Sequence, residues 1–164
     1  MNIFASDKNP VKAAQNLDNV RVVKMSSETA QLLSTALFRL GYWSNILWKP
    51  AYQNHPCTNW TRASRGNFDW LVRHGTALCQ EYTHRYYKIH AAASVILSAV
   101  EISKKAVFPT EPLQDFVNCT DVYTGTVVNR YRKYLIETKW KNDIRTPLWT
   151  NRGAPKWHKE WHNG

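Results

Sequence analysis

Cysteine is scarce in this chain of 164 residues: there are three, Cys57, Cys79 and Cys119, no two of them close together. An odd number so spaced excludes a complete disulfide framework and fits reduced thiols, so an apolar core has to hold the fold. Acidic residues are also few, 12 against 22 Lys and Arg, for a formal charge of +10 and a pI of about 9.7. A globular chain with that imbalance is suited to a polyanion, and nucleic acid is the first partner class it implies. No apolar run approaches the roughly 20 residues of a membrane span, and no stretch sets a Lys/Arg fringe beside a Leu/Phe face, so a membrane partner is not expected.

Familiar motifs are missing as well. There is no Walker loop, no dinucleotide-binding glycine fingerprint and no serine elbow, which leaves phosphoryl transfer and hydride chemistry without support. No cofactor is expected. Cys79, His84 and His90 are the nearest approach to a zinc set, but steps of five and six residues spread them around a helix, so no metal site is expected either. Cys57 stands two residues from His55, which could suggest a thiolate nucleophile, but a free cysteine is more often a packing residue. The opening MNIFASDKNP has neither the basic nor the apolar region of a secretory signal, and a cytoplasmic location is the expectation.

What the chain does have is aromatic surface, eight Trp and eight Tyr, and helical periodicity. Aromatic richness joined to basic charge suits base stacking or base extrusion, as well as core filling. Residues 17–40 carry the clearest pattern. At 3.6 residues per turn, Val22, Met25, Thr29, Leu33, Ala36, Leu37 and Leu40 share one side, and Arg21, Lys24, Glu28, Gln31 and Thr35 form a row on another. Glu28 is the only acid between Asn19 and Arg65, with Arg21 and Lys24 seven and four residues before it. A positive field of that kind keeps a carboxylate ionised and attracts phosphate. An ordinary intrahelical ion pair, worth a few tenths of a kcal/mol, is the plainer reading of the same spacing.

The rest of the chain reads as helix too. Asn9-Pro10 starts a short helix to about Leu17, Gly41 stops the long one, and residues 42–56 are an irregular, aromatic loop ending in Asn54-His55-Pro56. His55 is either an acid or base, or the residue that fixes this turn through its ring. Residues 58–89 read as one long helix or two nearly collinear ones, with Gly66 and Gly75 the plausible interruptions. Their polar row includes Arg62, Arg65 and Arg73, which either track phosphates or face solvent. Residues 91–107 are apolar almost all round, as in a helix packed between others. Thr120 or Asp121 caps a last helix to about Thr138. Residues 139–164, an irregular tail in which four Trp alternate with Lys and Arg, are expected to lie along the body. The expectation is an all-α, compact helical bundle forming a single domain over residues 1–164.

Leu17-Asp18, Arg21-Val22-Val23 and Glu28 together resemble the segment of the phage pyrimidine-dimer DNA glycosylases, the endonuclease V type, in which a helix start leads into the catalytic glutamate. Asn54-His55-Pro56 looks like a motif of more distant members, and NHPCTNW with NFDWLVRHGTALCQEYTHRYYK is similar to small proteins of tailed phages. The resemblance implies a helical enzyme whose N-terminal α-amine attacks C1′ of a damaged nucleotide, releases the base, leaves an imine and nicks the strand by elimination. Glu28 would take the catalytic carboxylate's role, with Arg21, Lys24 and Asn54 toward the DNA. Arg21 stands where the family has a histidine. The family's nucleophile is a small residue exposed by loss of the initiator methionine, and here Asn2 follows Met1, so either amine is the candidate. An α-amine titrates at about 7.7–8.0, so much of it is neutral and nucleophilic near pH 7, unlike a lysine. A noncatalytic DNA-binding protein and an enzyme processing a modified phage base are the rival expectations, and the cytoplasm of an infected bacterium is the expected setting.

Overall fold

The computed structural model describes residues 1–163 and is helical throughout, with no strand among them. Helix α1 (Pro10–Gln15) begins where Asn9 accepts hydrogen bonds from the Val11 and Lys12 amides, with Pro10 in the position that needs no donor. Helix α2 (Asn19–Leu40) is capped by Asp18, which accepts from the Val20 amide, and is stopped by Gly41 at φ 88°. Its buried face comprises Val22, Met25, Thr29, Ala30, Leu32, Leu33, Ala36 and Leu37. Around it pack α3 (Pro56–Ala63), α4 (Arg65–Tyr86) and α5 (Ala92–Ser103), which makes α2 the central helix.

Residues 58–89 break at Ser64, not at either glycine. Ser64 is extended (φ −149°, ψ 157°) and its hydroxyl accepts from the Asn67 amide, so it starts α4 as soon as α3 ends. Both glycines lie inside α4 because something crosses close to them. At Gly75 a Cβ would stand 2.5 Å from Thr29 Cγ2 and 3.0 Å from Ile96 Cδ1, so the missing side chain is what lets α4 settle on α2 and α5. At Gly66 a Cβ would run into the backbone of Pro112 and Leu113. Residues 110–114 are strapped across the start of α4 by bonds from the Arg65 and Gly66 amides to Thr110 and Glu111 and by Asn67 to Gln114.

Helix α5 is shorter than the apolar run implied and is not enclosed. Ala92, Val95, Ile96 and Ala99 are buried while Leu97 is 65% exposed, so the run reflects one packed face and one open face. Thr120 forms a local turn with Asn118 and Val122 and caps nothing; helix α6 (Val127–Tyr134) starts at Thr126. It passes directly into a π-helical segment, Leu135–Trp140. The C-terminal tail lies along the body, as expected, but it is not wholly irregular, since α7 (Lys156–Asn163) forms within it. Trp140 stacks on Trp157 (5.7 Å, 13°) and meets Trp149 edge-on, while the Trp140 and Trp149 ring N–H groups donate to Asp18 and to the Asn16 carbonyl. Arg152 pairs with the buried Glu81, which Arg85 holds from the other side. These contacts bring the end of the chain to the start of α2.

Candidate active site

The first four residues run into the core as an irregular segment pinned by Asn2. Its side-chain oxygen accepts from the Ile3 and Phe4 amides (2.8 and 3.1 Å), and its amide group donates to the Cys119 carbonyl (3.0 Å). Phe4 follows at φ 41°, a left-handed conformation that a non-glycine residue adopts only when its surroundings impose it. The surroundings are aromatic: Phe4 stacks on Tyr134 at 6.3 Å and meets Tyr131 edge-on. The consequence is a chain start held in one place.

That place is opposite Glu28. The Met1 amine lies 4.0 Å from Glu28 Oε2, and the Asn2 amide donates to the same oxygen at 3.1 Å. Lys24 Nζ reaches the other oxygen at 3.8 Å from the preceding turn of α2. Glu28 is partly open, with its side chain 17% exposed, on the wall of a cleft of about 480 Å³. Met1, Asn2, Arg21, Lys24, Glu28 and His55 all line this cleft, together with Tyr134, Lys139 and Asp143 from the C-terminal part of the chain.

His55 caps α3, its Nδ1 accepting from the Cys57 amide at 3.1 Å. That bond sets the tautomer, since a neutral ring accepting at Nδ1 carries its proton on Nε2. Burial and the positive chain terminus push its pKa below the ordinary histidine value, with Glu28 opposing. The ring is therefore neutral near pH 7, in both turn-fixing contact and reach of the cleft. His55 is the cap and Cys57 lies in the first turn of α3, so the two stand together where the helix starts. With Cys119 they bring ligand-type atoms within 4.8 Å of one another, a grouping that the sequence spacing did not suggest.

The basic residues divide. Lys24 is exposed at the mouth of the cleft, and Lys139 joins it there, its ammonium 5.2 Å over the Tyr134 ring. Arg21, expected on the open cationic row, is 6% exposed and bound by Asp18 at 3.0 Å and Asp143 at 2.7 Å. Its charge is already met by two carboxylates, one from the cap of α2 and one from the tail. Arg62, Arg65, Arg73 and Asn54 do not line the cleft. Arg65 donates to the Ser103 and Ala106 carbonyls and lies over the Phe108 ring, so it ties α4 to the end of α5. Arg62 bonds Asn59, and the Asn54 carbonyl accepts from the Asn59 side chain, while Arg73 is exposed. The residues that sequence reasoning missed, Tyr134, Lys139, Cys119 and Asp143, come from beyond residue 115. Tyr134 and Lys139 are five apart, a spacing that converges across a π turn and diverges across an α turn, so helical periodicity hid them.

A helical protein of strong positive charge, with an α-amine and a carboxylate facing each other in a basic cleft, is suited to amine chemistry on a polyanionic substrate. The sequence profile of one family, described as pyrimidine dimer DNA glycosylase, matches residues 1–95, over half the chain, and the protein belongs to that family. The match spans α1–α4 and includes Glu28, Lys24 and His55, whereas Lys139 and Cys119 lie outside it. No curated protein and no solved structure matches the chain. Membership makes the protein a DNA glycosylase in general class and DNA its substrate.

Proposed function

We propose that this glycosylase excises a damaged pyrimidine by covalent amine catalysis, with the α-amine at the start of the chain as nucleophile and Glu28 as its partner. The supporting observation is the placement of both candidate amines: Met1 N at 4.0 Å and Asn2 N at 3.1 Å from Glu28 Oε2. Whichever residue begins the mature chain, its nitrogen faces the carboxylate. The amine attacks C1′, the glycosidic bond breaks with its electrons leaving on the base, and the sugar ring opens to an iminium joined to the protein. Loss of a C2′ proton then expels the 3′ phosphate by elimination and nicks the strand. Glu28 stabilises the positive charge that develops on the sugar and carries the proton of the amine and later that of C2′. His55, neutral and protonated on Nε2, is a proton donor in the same cleft for the departing base.

Lys24, exposed at the cleft, and Lys139, half-buried in its wall, hold the flanking phosphates, while Arg21 positions the start of α2. The damaged nucleotide has to leave the stack to bring C1′ to the amine. Duplexes bearing a cyclobutane pyrimidine dimer, uracil, hydroxymethyluracil or an abasic site test the reading. Glycosidic cleavage, with the freed pyrimidine still joined to its neighbour through the cyclobutane ring, and strand nicking are expected on the dimer duplex, and nicking alone on the abasic one. Glu28→Gln is expected to lower turnover by about 10³-fold or more with DNA affinity nearly intact. Full turnover in that variant would remove Glu28 from the mechanism.

A further inference from the structure

Two thiols that the excision chemistry does not use meet at the wall of the cleft. Cys57, in the first turn of α3, is fully buried; Cys119, in the loop before α6, is half-buried and lines the cleft. Their sulfurs are 3.0 Å apart and hydrogen-bonded. We propose that Cys57 and Cys119 are an oxidisable dithiol, in which Cys119 is the sulfur that a hydroperoxide attacks and Cys57 the sulfur that resolves it, closing to a disulfide beside the active site.

The roles follow from access and charge. Only Cys119 faces the cleft, so a small oxidant in solution meets it first. The hydrogen-bonded contact with the Cys57 sulfur, helped by the Tyr131 hydroxyl and the positive chain terminus, holds the Cys119 thiol below its ordinary range against the effect of burial. Cys57, bonded to that sulfur and enclosed, keeps its proton. A low-lying, reachable thiol beside a second cysteine is the arrangement that stops oxidation at the disulfide. Chemically, the Cys119 thiolate attacks one peroxide oxygen, the O–O bond breaks, and hydroxide or alkoxide leaves. The Cys57 sulfur then displaces the hydroxyl of the sulfenic acid, its proton leaving with that hydroxyl as water. Two thiols and one hydroperoxide give one disulfide, one water and one further water or alcohol.

A soft metal is the competing occupant, since His55 stands in the same cluster. The cap bond decides against it: Nδ1 accepts from the Cys57 amide and Nε2 carries the proton, so neither nitrogen presents a lone pair without unmaking the start of α3. The disulfide needs no such loss. Closure would tie α3 and the loop covalently, with the chain start held to them by the hydrogen bond from the Asn2 side chain to the Cys119 carbonyl. The inference does not depend on the excision mechanism, and its readout is thiol chemistry alone.

The test is peroxide challenge of the reduced full chain, followed by intact-mass measurement and non-reducing peptide mapping. The expected result is a mass lower by about 2 Da, a linked Cys57–Cys119 peptide, Cys79 still open to alkylation after unfolding, and full reversal by dithiothreitol. In Cys57→Ser, dimedone should capture a sulfenic acid at Cys119. Sulfinic acid at Cys119 of the unaltered chain without a link, or oxidation of Cys79 as fast as Cys119, would overturn the proposal. So would one retained zinc ion per chain, after incubation with zinc alone, that shields both cysteines and is lost in His55→Ala.

Discussion

Arg21 and Glu28 stand two turns apart on α2, and what differs between them is their company. Arg21 is enclosed by Asp18 and Asp143, whereas Glu28 faces an amine, an amide N–H and open cleft. Arg21→Ala leaves the buried Asp18 without its cation, so a loss of about 3 kcal/mol in unfolding free energy is expected by chemical denaturation. Lys24→Ala should leave stability unchanged. A second residue-scale effect belongs to His74, which is wholly buried, donates to the Pro10 carbonyl, stacks on Trp70 and has its pKa lowered to about 4 by burial. The unfolded chain binds this proton more readily than the folded one between about pH 6.5 and pH 4, so stability is complete above that window and falls as pH drops through it. The loss should approach about 3 kcal/mol at pH 4. Unfolding measured from pH 7.5 to pH 4 should show the decline, with His74→Phe flattening it; an identical slope in that variant would assign the decline elsewhere.

The elements show why some of this was readable from the amino acids and some was not. Helix α2 was legible as an element, though the burial of Arg21 on it was not, because a buried stripe at 3.6-residue spacing is a local property and Asp18 and Gly41 punctuate it. Glu28 came with it. The break at Ser64 was missed because the glycines drew attention as helix breakers, when both are there for neighbours that only the tertiary structure supplies. Gly66→Ala measures this directly. Helix propensity alone favours alanine by about 1 kcal/mol, yet the backbone at Pro112 and Leu113 occupies the space of a Cβ. A net loss of about 2 kcal/mol is therefore expected in thermal unfolding. A gain would mean that residues 110–114 do not hold that position in solution. The π-helical segment Leu135–Trp140 was equally hidden, since it changes which residues share a face without leaving a mark in composition.

At the scale of the molecule, the cleft is closed by parts of the chain that lie far apart in sequence. The chain start, α2 and α3 supply one wall, and the end of α6, the π-helical segment and the tail supply the other through Tyr134, Lys139 and Asp143. Pairing of that kind has no sequence signature, which is why Lys139 read only as one more basic tail residue. The net charge of +10 is distributed unevenly: Arg65 and Arg21 are tied into the fold, while Lys24 and Lys139 line the cleft. Lys24→Ala and Lys139→Ala should each lower the slope of log K against log salt by about 0.9 on duplex DNA, and Arg65→Ala should not. Equal slopes for all three would move the DNA surface off this cleft. The central claim is that the first nitrogen of the chain makes a covalent bond to the sugar. Borohydride reduction during turnover on a dimer-containing duplex, followed by mass spectrometric mapping of the adduct, reads it directly. The account predicts one adduct per chain, on the α-nitrogen of the first residue, lost in Glu28→Gln. An adduct on Lys24 or Lys139, or glycosidic cleavage with nothing trapped, would contradict it.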